Sequence, residues 1–159
     1  MIAIWYLLKC PKGNEKDCIE RCQKLAEAES LQEIVCFQYQ RMMRYGGRWH
    51  MERRALLPGH IFLSGAEKMV LKNRDREDLS LSPCEIPYLK MLCSDDGLID
   101  MSRGIIRNGT AVVTEGPLKG REQLIKRIDR HKRTAKINVP LEGKNVEVTV
   151  GLEIYRKEA

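Results

Sequence analysis

The sequence predicts an α+β protein in two parts, a mixed region of strands and helices followed by a small β-barrel. Three observations carry this. Residues 2–9 are apolar and aromatic and stop at Cys10-Pro11-Lys12-Gly13, as a buried strand ending in a turn does. A helical apolar period follows at once. From residue 110 the rhythm changes to short alternating strands, and the intervening stretch, broken by Asp95-Asp96-Gly97, reads as a connection. The expected boundaries are a first domain at 1–93, a linker at 94–107 and a second domain at 108–159.

Each element has a local cause. Asn14 is suited to cap a helix, with Asp17 three residues on, and Cys18, Ile19, Cys22, Leu25 and Ala26 recur on one helical face. That helix should end near residue 28 or 29. Residues 34–43 are rich in β-formers, and a second such run spans 48–56. Tyr45-Gly46-Gly47 between them reads as a hairpin turn, because two glycines accept the positive φ angles a tight turn needs. Pro58-Gly59 precedes an apolar strand at 60–63, and a short helix is expected over 66–74. Residues 75–99 are weakly patterned, being interrupted by Pro83 and Pro87, with a helical turn expected within 84–93.

In the last third, strands are expected at 110–114, 123–128, 135–141, 146–150 and 152–155. Ala135, Ile137, Val139 and Leu141 alternate with Lys136, Asn138 and Pro140, the signature of a half-buried strand. Five short strands in so little chain are best buried as a small barrel. Ile125 and Ile128 are spaced by three, which predicts a β-bulge turning Lys126 and Arg127 outward together.

The 159 residues carry 28 Lys and Arg against 22 Asp and Glu, a formal net charge of +6, with 43% hydrophobic residues. That composition excludes wholesale disorder. The longest apolar stretch, 2–8, is far short of the ~20 residues that cross a bilayer, and no basic segment precedes it, so a cytoplasmic protein without membrane contact is expected. The charge is unevenly placed: residues 1–104 hold 16 basic and 15 acidic residues, and 105–159 hold 12 and 7. Eight cations fall between Lys119 and Lys136, interrupted by Glu122 and Asp129. A solvated surface explains many charge runs, but this density is the usual footprint of phosphate binding.

Six cysteines show no CxxC pair. They read as reduced structural thiols, although Cys18 and Cys22, four apart on a helix, could join a histidine at a metal. An enzyme using Cys36 with His50 or His60 lacks a supporting local signature, and Gly120-Arg121-Glu122-Gln123 is not a phosphate-binding loop. No catalytic residue, metal or cofactor is expected.

Trp5-Tyr6 in the first strand, Leu57-Pro58-Gly59-His60-Ile61-Phe62-Leu63, and the stretch 112–129 with Gly116-Pro117-Leu118 and Ile128-Asp129 together resemble the NusG family of transcription elongation factors. The resemblance covers nearly the whole chain. It implies an N-terminal NGN-type α/β sandwich, an antiparallel sheet with flanking helices, that grips the clamp helices of bacterial RNA polymerase. It also implies a C-terminal KOW domain with an SH3-like barrel, and a monomer. Tyr45-Gly46-Gly47-Arg48-Trp49-His50, Met101-Ser102-Arg103-Gly104 and Gly116-Pro117-Leu118-Lys119-Gly120 are similar to signatures of the specialised LoaP branch. That branch implies a processive antiterminator whose KOW domain binds a structured RNA hairpin in the nascent leader. A general elongation factor, coupling polymerase to the ribosome, is the alternative.

On this resemblance the polymerase-binding residues are His60 and Phe62, with Lys9 and Leu56 as neighbours. Alternation puts Ile61 and Leu63 on the core face, and the competing reading has Phe62 fill the core. Arg41, Arg44, Arg48 and Trp49 on the hairpin would lie near upstream or non-template DNA, with Trp49 either stacking on a base or packing against the hairpin. Lys119, Arg121, Lys126, Arg127, Arg130, His131, Lys132 and Arg133 are the expected RNA contacts, on loops that a barrel brings to one rim. Two residues depart from the family pattern: Gln123 stands where Gly is usual and His60 where Tyr is common. The first requires a turn open to a residue with a Cβ, or a one-residue strand shift.

Overall fold

An apolar strand, a turn and a helix open the fold as expected. A computed structural model describes residues 4–25, 31–65, 81–84, 86–94, 96–141 and 143–158. The chain runs β1 (Ile4–Lys9), α1 (Glu15–Leu25), β2 (Leu31–Val35), β3 (Gln38–Tyr45), β4 (Arg48–Ala55), β5 (His60–Gly65) and β6 (Leu81–Cys84). It continues with α2 (Pro87–Leu92), β7 (Leu98–Ile99), β8 (Ser102–Arg107), β9 (Thr110–Glu115), β10 (Ile125–Asp129), β11 (Thr134–Leu141) and β12 (Lys144–Glu158). Two units form, one from Met1–Cys36 and Leu57–Ile86, the other from Phe37–Leu56 and Pro87–Ala159. The first helix's expected end and the helix expected over 66–74 lie outside the described residues.

The first unit is a four-stranded sheet in the order β2-β5-β1-β6. Its pairings are antiparallel, with Leu8 opposite Ile61 and Lys9 opposite His60. Leu8, Ile61, Leu63 and Cys18 of α1 form a buried cluster, with Tyr6, Cys10, Ile19 and Ile34 packed against it. Pro83, which weakened the sequence pattern, sits in β6 at the sheet edge, where a missing backbone N–H is tolerated.

The Pro58-Gly59 turn ties this unit together. Gly59 has φ +79°, and a Cβ there would stand 2.7 Å from the Cys10 carbonyl oxygen. Its carbonyl accepts the Cys10 N–H at 2.8 Å. Its own N–H donates to Glu15 Oε1 at 2.8 Å, so one glycine joins the end of β1 to the start of α1.

In the second unit β3 and β4 form the expected hairpin. Gly46 and Gly47 both have positive φ, 61° and 72°, and Tyr45 pairs with Arg48 across the turn. Cys36 and Phe37 lie outside both strands and divide the run expected at 34–43, so β2 joins the first unit's sheet and β3 pairs with β7. The C-terminal strands make one five-stranded sheet, β10-β11-β12-β8-β9. Its membership differs from expectation in two ways. Residues 102–107, read as linker, form β8, and the expected strands at 146–150 and 152–155 are one continuous β12. Antiparallel pairing to β11 uses the first half of β12, and parallel pairing to β8 uses the second.

The predicted bulge is present between Ile125 and Arg127, with Lys126 and Arg127 both exposed. Gln123 lies in a 3-10 turn at Glu122–Leu124. Among the described non-glycine residues only Asn108 and Arg133 have positive φ, so Gln123 occupies a conformation open to a Cβ.

The Gly59–Glu15 hydrogen bond generates a pH prediction. It holds the Glu15 carboxyl below its ordinary 4.5, so its stabilisation is complete above that value and is lost as pH falls through the lower folded value. Glu15→Gln should be less stable than the parent in urea at neutral pH, and the gap should narrow as pH falls below 4.5. A gap independent of pH would contradict this. Gly59→Ala should cost more than about 1 kcal/mol, from positive φ and the clash with Cys10.

Candidate nucleic-acid interface

The second unit brings together two sets of cations far apart in sequence. Three features hold β3 against the C-terminal elements. Gln38 and Tyr39 pair in parallel with Leu98 and Ile99. Gln40 Oε1 accepts the Met101 N–H at 3.0 Å. At Gly151, in the middle of β12, a Cβ would lie 2.3 Å from the Gln40 carbonyl oxygen, so only glycine lets the two backbones approach this closely.

A cleft of about 600 Å³ runs between β3 and the loop joining β10 to β11. Arg41 lies on one side, with Arg127, Arg130, His131, Lys132 and Lys136 on the other. Asp129 is the one acidic residue of this lining, and its Oδ1 already accepts the Lys132 N–H at 2.9 Å. The side chains of Arg130, His131 and Lys132 are exposed, with no hydrogen-bond or ion-pair partner among the described residues. Arg41 Nε is buried and has no hydrogen-bond partner. A second cleft of about 510 Å³ is lined by Met42, Met43, Arg44 and Trp49, and it shares Arg41, His131 and Lys132 with the first.

Arg133 has a different role from its neighbours. Its φ of 56° is in the left-handed region, unusual for a side-chain-bearing residue. Its carbonyl accepts the Leu152 N–H at 3.0 Å, its guanidinium carbon stands 3.8 Å from the Trp49 ring centroid, and Nη1 is 3.6 Å from Glu153 Oε1. Arg133 therefore pins the loop to the hairpin, while the side chains of Arg130, His131 and Lys132 stay exposed. Trp49 is correspondingly half-buried and packed.

The other expected RNA contacts divide. Across the sheet, Asp129 pairs with Thr134, Thr134 with Gly151, Leu152 with Ser102, and Arg103 with Glu115. The loops at 116–121 and 130–133 thus leave the same sheet end. Lys119 is exposed there, whereas Arg121 donates from Nη1 to the Pro117 carbonyl at 2.7 Å, and neither lines the clefts. Arg127 lines the first cleft while paired with Glu147 at 2.7 Å, and Lys126 points outward at the bulge. On the hairpin, Arg44 and Arg48 are exposed, and Tyr45 stacks on His50 with centroids 3.7 Å apart. Sequence reasoning did not assign Tyr39, Met42, Met43 or Lys136 to a site. The Arg-Met-Met-Arg order at 41–44, cations flanking apolar side chains, was the available signal.

The expected polymerase surface is corrected in part. Lys9 is exposed and His60 is half-buried, with Nδ1 3.0 Å from the Pro58 carbonyl oxygen. Phe62 has 0% exposure, as do Ile61 and Leu63, and Leu56 is also buried. Alternation placed Phe62 on an open face, but β5 is an interior strand of its sheet and both its faces are covered.

Cys10, Cys18, Cys36 and Cys93 are free thiols. Burial is the leading cause that pushes Cys10 and Cys93 up to about 12, and it raises Cys36 as well. Such thiols stay protonated near neutrality and are poor nucleophiles. Among the described residues no group of His, Cys, Asp and Glu has the geometry to hold a metal, and no helix is long and apolar enough to cross a membrane.

Gly151→Ala should destabilise the second unit by about 1 to 3 kcal/mol, the usual cost of forcing atoms into a filled contact. Amide exchange in β3 should accelerate with it. Unchanged protection of Gln40 and its neighbours would show that the approach at Gly151 does not hold the hairpin.

No protein-family model and no curated protein matches the chain. Among solved structures it is similar to NusG from Thermotoga maritima, in work on domain interaction in that protein, with a TM-score of 0.53 and 18% identity. The match covers 97% of this chain and 95% of that one, so the similarity extends over the two units and not over one module. The chain has a NusG-like α+β fold.

Proposed function

We propose that this protein is a transcription elongation regulator acting as a processive antiterminator. It engages bacterial RNA polymerase through the first unit and a structured RNA hairpin of the nascent leader through the second. The observation that carries the RNA reading is the set Arg130, His131 and Lys132, exposed without side-chain partners among the described residues and lining one cleft with Arg41. An uncompensated set of this kind releases counterions from a phosphate backbone, which supplies the affinity. Folded RNA is favoured because closely spaced phosphates can bridge the two sides of a cleft, and recognition is then by shape and backbone.

The NusG-like fold supports the polymerase reading. In it the exposed Lys9 and the neighbouring His60, paired at one end of β1 and β5, make the surface contact. Phe62 supports that strand from inside. Holding the clamp closed would oppose the opening that pausing and termination require, and no bond is made or broken. The protein is accordingly not an enzyme in this reading, and it acts in the cytoplasm.

Arg130→Glu with Lys132→Glu should abolish gel shifts of a leader RNA hairpin at moderate salt while leaving thermal unfolding unchanged. Terminator read-through in transcription with purified polymerase should fall in parallel. With about six phosphates neutralised, the parent's log-log salt slope should be about −4 to −5, and each lost cation should reduce it by about 1. Retained binding in the double variant, or recovery of the protein on ribosomes instead of leader RNA, would favour a general elongation factor.

A further inference from the structure

The second cleft has chemistry that a row of phosphates does not need. It is walled by Met42, Met43 and Trp49, and the charged residues around it are all cationic or histidine. It is continuous with the basic cleft, because Arg41, His131 and Lys132 line both. We propose that this slot receives one unpaired nucleobase of the bound RNA while Arg41, Arg44 and Lys132 hold the flanking phosphates. The proposal rests on the RNA reading above and adds a local requirement, that the RNA present a splayed nucleotide beside its helix.

Three observations fit a base. The slot is prebuilt: Arg133 packs 3.8 Å from the Trp49 centroid and is tied to Glu153, so the wall is set before any ligand arrives and little side-chain entropy is lost on binding. Beyond Tyr39, β3 has no further pairing with β7 among the described residues, and Arg41, Met42, Met43 and Arg44 of that stretch line the slot. Arg41 lines both clefts, at the place where the phosphate joining the helical part of the RNA to the splayed nucleotide would pass. A base inside an A-form stack cannot enter such a slot, whereas an unpaired one can leave its stack and bury both ring faces. An acidic peptide would satisfy the cations but would leave the aromatic and thioether walls without a flat partner.

The test uses the full chain and two synthetic RNA hairpins of one sequence, one fully paired and one carrying a single bulged 2-aminopurine. The bulged hairpin should bind roughly tenfold more tightly, and the 2-aminopurine fluorescence should change on binding. Met42→Ala with Met43→Ala should erase both effects while keeping the parent's affinity for the paired hairpin. That retained affinity separates loss of the slot from loss of the fold. Trp49→Phe, which preserves an aromatic wall, should keep most of the preference. Equal affinity of the parent for both hairpins, or unchanged fluorescence, overturns the slot and leaves the RNA reading standing. Failure of the parent to bind either hairpin overturns both.

Discussion

The second unit depends on what β12 must do. One strand of fifteen residues pairs antiparallel with β11 over its first half, turns to pair parallel with β8 over its second, and meets the backbone of β3 at the changeover. Gly151 stands at that point because a Cβ there would run into the Gln40 backbone and the Met101 side chain. The neighbouring Leu152 N–H is taken by the Arg133 carbonyl, and Glu153 contacts both Arg133 and Arg103. The hairpin, the basic loop and the start of β8 are therefore all positioned from three consecutive residues of one strand.

Electrostatics follow from that placement. Much of the basic charge is locally paired: Arg107 and Arg156 share Glu158, Arg103 and Arg133 share Glu153, and Arg127 meets Glu147. Exposed pairs of this kind contribute little to stability, but they remove cations from the pool available to a ligand. Among the basic residues left unpaired, Arg130 and Lys132 lie in one loop and line a cleft together with Arg41. The first cleft therefore presents a small set of basic side chains on two walls and not a diffuse field.

Several features were legible from local pattern alone. The Gly46-Gly47 turn, the bulge at 125–128 and the alternation of β11 each depend on a few adjacent residues, and each is present. Other expectations failed where a distant part of the chain decides. Residues 102–107 lack strict alternation and read as linker, yet they form a strand between β12 and β9. Phe62 obeys the period that would expose it, but in this sheet side chains on both faces of β5 are buried, and period cannot reveal that. Arg133 is indistinguishable in composition from Lys132, and its left-handed backbone and stacked side chain give it a structural task.

The sequence by itself determined the α+β class, the hairpin and its turn, the outward pair Lys126 and Arg127, and the concentration of positive charge in the last third. Those properties are short-range, set by side-chain period, glycine conformation and counting. Only the tertiary structure decided that a hairpin near residue 45 and a loop near residue 131 share one surface, because that depends on which strand β3 meets and on a missing side chain at Gly151. It also decided which cations remain available, since ion pairing spans dozens of residues along the chain, as between Arg103 and Glu153.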